Sequence, residues 1–378
     1  MNLVRIPSHR PSLGQEELSA VERVFESRWL GTGPATEAFE KALRERLGVR
    51  HAIAVNSGTA ALHLALEALA LSPGDEVILP SMTFVSTAQA VLAARARPVF
   101  CEVRHETLNI DVEDAARRIT PRTKAILPVH YGGRVCEMDA LLEIARRHRL
   151  FLIEDAAHAF GSELDGRPAG TLGDFGCFSF DPIKNITCGS GGALITDNDA
   201  LAARVRTLCN VGIDIEPWRR IRSLQPWLYE VVTPGFRYRM SDINASIGLV
   251  QLERFEEFRE RKRCIAQRYD AAFAGMPGLT PIRHDVPGVF PFNYVIRVRE
   301  GKRDALMARL KERGIGSTVQ FTPCHLQPVF EPFREALPAT EQLYGEILTL
   351  PLYVEMSGAD VGYVIGAVRS FLQESEAS

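Results

Sequence analysis

Lys124-Ala-Ile-Leu-Pro-Val-His-Tyr-Gly-Gly-Arg-Val-Cys-Glu-Met-Asp-Ala-Leu-Leu-Glu-Ile-Ala-Arg-Arg-His-Arg-Leu-Phe-Leu-Ile-Glu-Asp155 is the stretch that decides the fold. Two short apolar runs, 124–130 and 151–155, flank an amphipathic helical pattern over 138–148. Apolar run, helix and apolar run make a βαβ unit, whose parallel strands are buried on both faces. Toward the N-terminus the alternation repeats, with strands expected at 51–55, 76–80 and 97–103 and helices at 58–71, 86–96 and 112–119. Downstream it breaks: 175–180 and 192–196 read as strands joined by a turn rather than a helix. The second half carries one long helical pattern over 241–276, opened by the capping signal Ser241-Asp242. A strand at 293–298, a helix at 303–313 and a strand at 317–321 follow. The expectation is an α/β protein. A large, mixed, mostly parallel sheet domain with helices on both faces covers 1–240, N-terminal segment included. A linking helix and a smaller α+β domain cover 241–378.

The 378 residues suffice for two or three domains of roughly 150 residues each. Basic residues number 44 and acidic ones 47, a formal net charge of −3 that argues against a nucleic-acid binder. With 46% hydrophobic and 24% charged residues, the composition is that of a soluble globular protein. No apolar run nears the roughly 20 residues of a membrane span. The N-terminus, Met1-Asn-Leu-Val-Arg5 onward, is polar and charged where a signal peptide needs an apolar core. Seven cysteines stand singly, without a Cys-x-x-Cys pair, as expected of reduced thiols in a cytoplasm; no metal site is expected. Lysine supplies only six of the 44 basic residues: Lys41, Lys124, Lys184, Lys262, Lys302 and Lys311. A lysine-dependent chemistry therefore has few candidates.

Three segments carry candidate chemistry. Asn56-Ser-Gly-Thr59 lies where a strand ends and a helix begins, a place whose free N–H groups and positive partial charge suit a phosphate. Taken alone, the motif is more simply a plain N-cap. Phe151-Leu-Ile-Glu-Asp-Ala-Ala-His158 sets Glu154 and Asp155 at the carboxyl end of a buried strand, the edge where open α/β sheets bind ligands. A carboxylate there could keep a ring nitrogen protonated, by about 1–3 pKa units. A metal site using Asp155 and His158, or a structural ion pair, is the alternative. Phe178-Ser-Phe-Asp-Pro-Ile-Lys184-Asn-Ile-Thr-Cys-Gly-Ser-Gly-Gly192 holds Lys184 between apolar residues and a glycine-rich turn. Desolvation there lowers its pKa and makes it a nucleophile able to form a Schiff base, whereas a surface lysine in a loop needs no such account. A phosphate cradle, an acid for a pyridinium nitrogen and a lysine are together what pyridoxal phosphate requires. Phe84, in Ser81-Met-Thr-Phe84, offers a plane to stack on a cofactor ring, though alone it would suit a core.

From Arg10-Pro11 to about Phe371 the chain resembles the fold type I pyridoxal-phosphate sugar aminotransferases of the DegT/DnrJ/EryC1/StrS family. The resemblance rests on Thr32-Gly-Pro34, Asn56-Ser-Gly-Thr59, Thr83-Phe84, Pro128-Val-His-Tyr-Gly132, Glu154-Asp-Ala-Ala-His158, Phe178-Ser-Phe180, Lys184, Gly191-Gly192 and His325-Leu-Gln-Pro328. Within the family, Ile119-Thr-Pro-Arg-Thr-Lys-Ala-Ile126, Ile183-Lys-Asn-Ile-Thr-Cys188 and Thr233-Pro-Gly235 are most similar to enzymes making UDP-4-amino-4-deoxy-L-arabinose for lipid A.

The resemblance implies that Lys184 forms the Schiff base and shuttles the proton, and that Asp155 pairs with the pyridinium nitrogen. It places His158 near the cofactor's phenolic oxygen, Gly58, Thr59 and Ser179 on the phosphate, and Phe84 on the ring. Arg237 stands where many relatives send an Asn from the neighbouring subunit to the phosphate. Ser190 stands where relatives usually carry Glu, and His325 where the family approaches the sugar. The implied protein is a cytoplasmic homodimer with its active site at the subunit interface. It would use L-glutamate and a 4-keto nucleotide sugar in two half-reactions through pyridoxamine phosphate, in polysaccharide or lipopolysaccharide biosynthesis. A 3-keto sugar or a cyclitol is the alternative acceptor. Dehydratase relatives replace the lysine with histidine, so retention of Lys184 argues against that chemistry. A cofactor-binding regulatory protein without turnover is the reading from another class.

Overall fold

In the computed structural model, residues 4–214, 225, 227–282 and 287–376 are described. Strands β1 (His51–Val55), β2 (Glu76–Pro80), β3 (Arg97–Cys101), β4 (Thr123–Ile126) and β5 (Phe151–Asp155) come first. A small hairpin, β6 (Glu163–Leu164) and β7 (Arg167–Pro168), and then β8 (Phe175–Ser179) and β9 (Gly192–Thr196) follow. Seven of them form one sheet in the order β1-β9-β8-β5-β4-β2-β3. β9 runs antiparallel to both its neighbours and every other pairing is parallel. The cause is the connection: β8 and β9 are joined by a loop, whereas parallel neighbours need a crossover.

Strand alternation distributes the core. Ile53 and Val55 of β1, with Leu194 of β9, pack against Leu62 and Leu66 of the helix Gly58–Ala68. Ala52, Ala54, Ala193 and Ile195 face the other way, onto Phe39 and Leu43 of the helix Pro34–Leu47. The same period of two separates the carboxylates of β5. Asp155 shares the face of Ile153, toward the helix Gly58–Ala68, and Glu154 the opposite face.

The second core surrounds a three-stranded antiparallel sheet, β10 (Leu279–Pro281), β11 (Tyr294–Val298) and β12 (Ile347–Leu350). Three expectations change here. The helical pattern over 241–276 forms two helices, Asp242–Glu253 and Phe255–Phe273, turning at Arg254 (φ −85°, ψ 1°). The turn lets Phe255 pack edge-on against Phe160 and Phe290. Residues 317–321 form no strand; Thr318 alone bridges Thr349, and the rest of the segment crosses toward the large sheet's ligand edge. The N-terminal segment does not belong wholly to the large domain: Ile6 bridges Ile315 and is buried in the second core beside Tyr269 and Leu306.

Candidate active site

At the carboxyl edge of the sheet lies a cavity of about 390 Å³, within the range of about 300–1,000 Å³ usual for ligand sites. It gathers Ser57, Gly58, Thr59, Phe84, Asp155, His158, Ser179, Lys184 and Ser190. The helix Gly58–Ala68 begins at its wall. Ser57 caps that helix by accepting the Ala60 N–H at 3.1 Å, and the amides of Gly58 and Thr59 have no carbonyl of their own helix to donate to. Ser179, at the end of β8, presses on this start: a Cβ on Gly58 would lie 2.8 Å from the Ser179 Cβ. A Cβ on Gly192 would lie 2.5 Å from the Ser57 carbonyl. The Ser190 hydroxyl donates to the Asn56 carbonyl at 3.0 Å, tying the glycine-rich turn to the same rim.

Asp155 and Glu154 have separate duties. Glu154 is fully buried and accepts from the amides of Gly170 (2.8 Å), Leu172 (2.6 Å) and Gly173 (2.6 Å). It also takes the Nε2 proton of His130 at 2.8 Å, because His130 Nδ1 accepts the Cys136 N–H. This is a structural knot. Asp155 instead lines the cavity, accepting from Thr87 Oγ1 (2.7 Å) and the Ala157 N–H (3.1 Å). Burial pushes its carboxyl above the usual range, while those two donors and the charge of Lys184 pull it back.

Lys184 is half-buried, and among the described residues its Nζ makes no hydrogen bond or ion pair. It lies 4.6 Å from the centroid of the Phe292 ring, over its face. Loss of hydration lowers its ammonium to about 8, against the opposing charges of Asp155 and Asp181. His158 stacks on the same ring, 4.1 Å from Phe292 at 12°, with Phe321 5.7 Å away. Burial, then the charges of Lys184, His9 and Lys262, hold His158 well below its ordinary pKa. It is therefore neutral, and its buried Nδ1 has no hydrogen-bond partner among the described residues.

Two expected residues lie elsewhere. His325 is fully buried outside the cavity: Nδ1 meets Ser81 Oγ at 2.6 Å and Nε2 meets Glu341 at 3.2 Å. With both ring nitrogens engaged it braces the segment after Pro323 and does not line the cavity of its own chain. Arg237 is exposed, its backbone bridging Asn210, and does not enter the cavity of its own chain. Phe84, 54% exposed, stands at the mouth beside Phe321. Thr87 and Phe292 carry no signal of a site in the sequence, Lys262 is there only one of six lysines, and the 318–321 segment reads as a strand rather than as part of a cavity wall.

These residues fit pyridoxal phosphate. A glycine cradle too tight for a Cβ meets a helix start, a buried carboxylate faces the cavity, a lysine has no hydrogen bond or ion pair at its Nζ among the described residues, and a neutral histidine has one nitrogen to spare. The sequence profile of the DegT/DnrJ/EryC1/StrS aminotransferase family matches residues 11–369. The spore coat polysaccharide biosynthesis protein SpsC of Bacillus subtilis is 42% identical, over 98% of both chains. Spr1654 of Streptococcus pneumoniae, solved in its PMP form and also in a PLP form, superposes with a TM-score of 0.93 at 30% identity, over 98% of this chain and 100% of that one. DesI, solved in the presence of its TDP-sugar product, gives 0.89 at 33% identity, over 99% of this chain and 94% of its own.

Proposed function

The chain belongs to the DegT/DnrJ/EryC1/StrS aminotransferase family and is a pyridoxal-phosphate-dependent sugar aminotransferase; from that premise we propose that it moves an amino group from L-glutamate to the 4-keto carbon of a nucleotide sugar. One observation carries the reading: Lys184 and Asp155 face a single cavity whose wall is the start of the helix Gly58–Ala68. Bound there, pyridoxal phosphate supplies an electron-withdrawing ring that makes the substrate's Cα–H acidic. Asp155 would hold the ring nitrogen, and Gly58, Thr59 and Ser179 the phosphate, with Ser57 fixing the helix start. His158 would direct Nδ1 at the phenolic oxygen, and Phe84 would cover the ring from the mouth. Lys184 would anchor the aldehyde carbon, then move a proton at the substrate carbon through Nζ. With its ammonium near 8, about a tenth of the amine is already unprotonated at neutral pH, far above an ordinary lysine.

A nucleotide sugar as acceptor is supported by DesI, solved in the presence of its TDP-sugar product, and a role in polysaccharide biosynthesis by the name of SpsC, a spore coat polysaccharide biosynthesis protein. We also propose a homodimer. Trp227 (74% exposed), Leu228 (63%), Val231 (62%) and Val232 (57%) form an apolar stretch of the kind that marks an interface, just before Arg237. Arg237 of one subunit would then reach the phosphate in the other. All seven cysteines are free, which supports a reducing, cytoplasmic setting.

The test follows the visible absorbance of the protein loaded with cofactor. L-Glutamate should bleach it in wild type and not in Lys184→Ala, and a panel of 4-keto, 3-keto and cyclitol acceptors should restore it, the 4-keto nucleotide sugar fastest. Restoration by a 3-keto sugar or a cyclitol alone moves the acceptor assignment. A wild type that binds cofactor but responds to no amino donor returns the protein to the regulatory reading.

A further inference from the structure

Lys262, on the helix Phe255–Phe273, is buried, and its Nζ reaches the back of the Lys184 loop. It donates to Asn185 Oδ1 at 2.8 Å and to the Phe292 carbonyl at 2.9 Å. Asn185 follows Lys184 in the chain, and the Phe292 ring is the surface over which the Lys184 ammonium lies. That ring also stacks with His158 at 4.1 Å and with His9 at 5.7 Å. No carboxylate pairs with Lys262 among the described residues. A buried lysine without a counter-ion costs stability and calls for a function.

We propose that Lys262 is a positioning residue for Lys184, one that clamps both the loop carrying it and the ring beneath its ammonium and whose charge is coupled to its own. The inference rests on the reading of Lys184 as the reacting lysine. An uncharged amine still has two N–H groups, so both clamps survive loss of the third proton. The surroundings make that loss easy: burial, and then the charge of Lys184, bring Lys262 down to about 7. His9, held near 4 by burial, and His158 are neutral neighbours, and Asp155 and Asp181 lie on the Lys184 side. Arg10 is turned outward to Glu355, and Tyr353 lines the same crevice. The two lysines therefore titrate as a pair. When Lys184 gives up its charge, Lys262 holds its own more firmly, and the charge behind the cavity changes by less than a full unit.

Lysine ε-carbon NMR of the full-length apoprotein reads this directly, because the chain has six lysines and the Lys184→Met and Lys262→Met variants each delete one signal. The Lys262 midpoint should rise by about one pH unit in Lys184→Met. The Lys184 midpoint in Lys262→Arg, which keeps a permanent charge, should fall about one unit below that in Lys262→Met. Equal midpoints in these comparisons overturn the coupling. The clamp is read from the cofactor dissociation constant: Lys262→Met should weaken it about tenfold and Lys262→Arg much less, a loss worth about 1.4 kcal/mol. Unchanged affinity in Lys262→Met overturns the clamp. If neither Lys262 variant folds, the Lys184→Met arm decides alone, since Lys184 lies on a cavity wall. Coupled lysines in a protein that aminates no keto sugar would leave the inference standing and refute only the proposed reaction.

Discussion

Replacing Thr87 by valine keeps the shape and removes one proton donor. Thr87 Oγ1 sits 2.7 Å from Asp155 Oδ2 and 2.8 Å from Thr83 Oγ1, all of them buried. A hydrogen bond to a charged group is worth about 1.5–3 kcal/mol, which at 1.36 kcal/mol per pKa unit raises Asp155 by about one to two units. The Ala157 N–H, at 3.1 Å on the other oxygen, remains. Burial already holds the carboxyl high, and loss of the Thr87 donor pushes it further in the same direction. The sign follows: the carboxylate is the form that attracts a ring cation, so cofactor affinity falls on acidification, and in Thr87→Val the fall begins about one to two pH units higher. The assay is the cofactor dissociation constant across pH for wild type, Thr87→Val and Thr87→Ser, with circular dichroism confirming the fold. Serine keeps the hydroxyl and should restore the wild-type curve. Coincident curves for valine and wild type would show that Thr87 does not act through Asp155, and the account of that carboxylate would fall with it.

Other consequences can be measured in parallel. Gly192→Ala forces a Cβ to 2.5 Å from the Ser57 carbonyl, backbone that yields poorly; overpacking of this kind costs about 1–3 kcal/mol, so the Tm and the cofactor affinity should both drop. A variant as stable and as tightly binding as wild type contradicts the tight cradle. Glu154→Gln offers one oxygen where four donors converge, leaving at least one amide of 170–173 unpaired at about 1–3 kcal/mol. Hydrogen exchange should accelerate first at Gly170–Gly173, and unchanged protection there speaks against the knot. Lys184 and Lys262 bind protons less tightly folded than unfolded, so their contribution to apoprotein stability should climb from about pH 7 to about 8.5, working against His130, whose pKa is raised to about 10 and whose contribution falls over the same range. Urea denaturation of Lys262→Met should show a shallower climb; parallel curves count against the assignment.

What could be read in the amino-acid sequence follows the kind of residue the chemistry demands. Lys184, Asp155 and the Ser57-Gly58-Thr59 start are conspicuous because charge at a strand end and glycine at a helix start have few other uses. Their meeting in one cavity follows from β alternation and sheet order. The surroundings of His325 were not legible, because a histidine near a proline says nothing of which groups will meet its nitrogens; Ser81, from the other half of the chain, meets one. Phe292, Lys262 and Thr87 are ordinary residues made functional by tertiary contacts, and a buried lysine on a charged helix looks like a solvated one. The break at Arg254 was equally hidden: no glycine or proline marks it, and only the pull of Phe255 into an aromatic cluster makes the chain turn.

The place of β9 in the sheet bears on how the chain can be made. β1 is the first strand to be synthesised, yet among the described residues β9 is its one strand partner, and Val55 meets Gly192 only after the intervening strands exist. A nascent chain therefore carries an unpaired apolar edge through most of the large domain's synthesis, while Ile6 waits longer still for Ile315. Contacts of such long range slow folding and leave an edge open to wrong partners. The cofactor cradle, built where β1 and β9 meet, closes late, so a cofactor that binds it would reward completion of the sheet rather than guide its beginning.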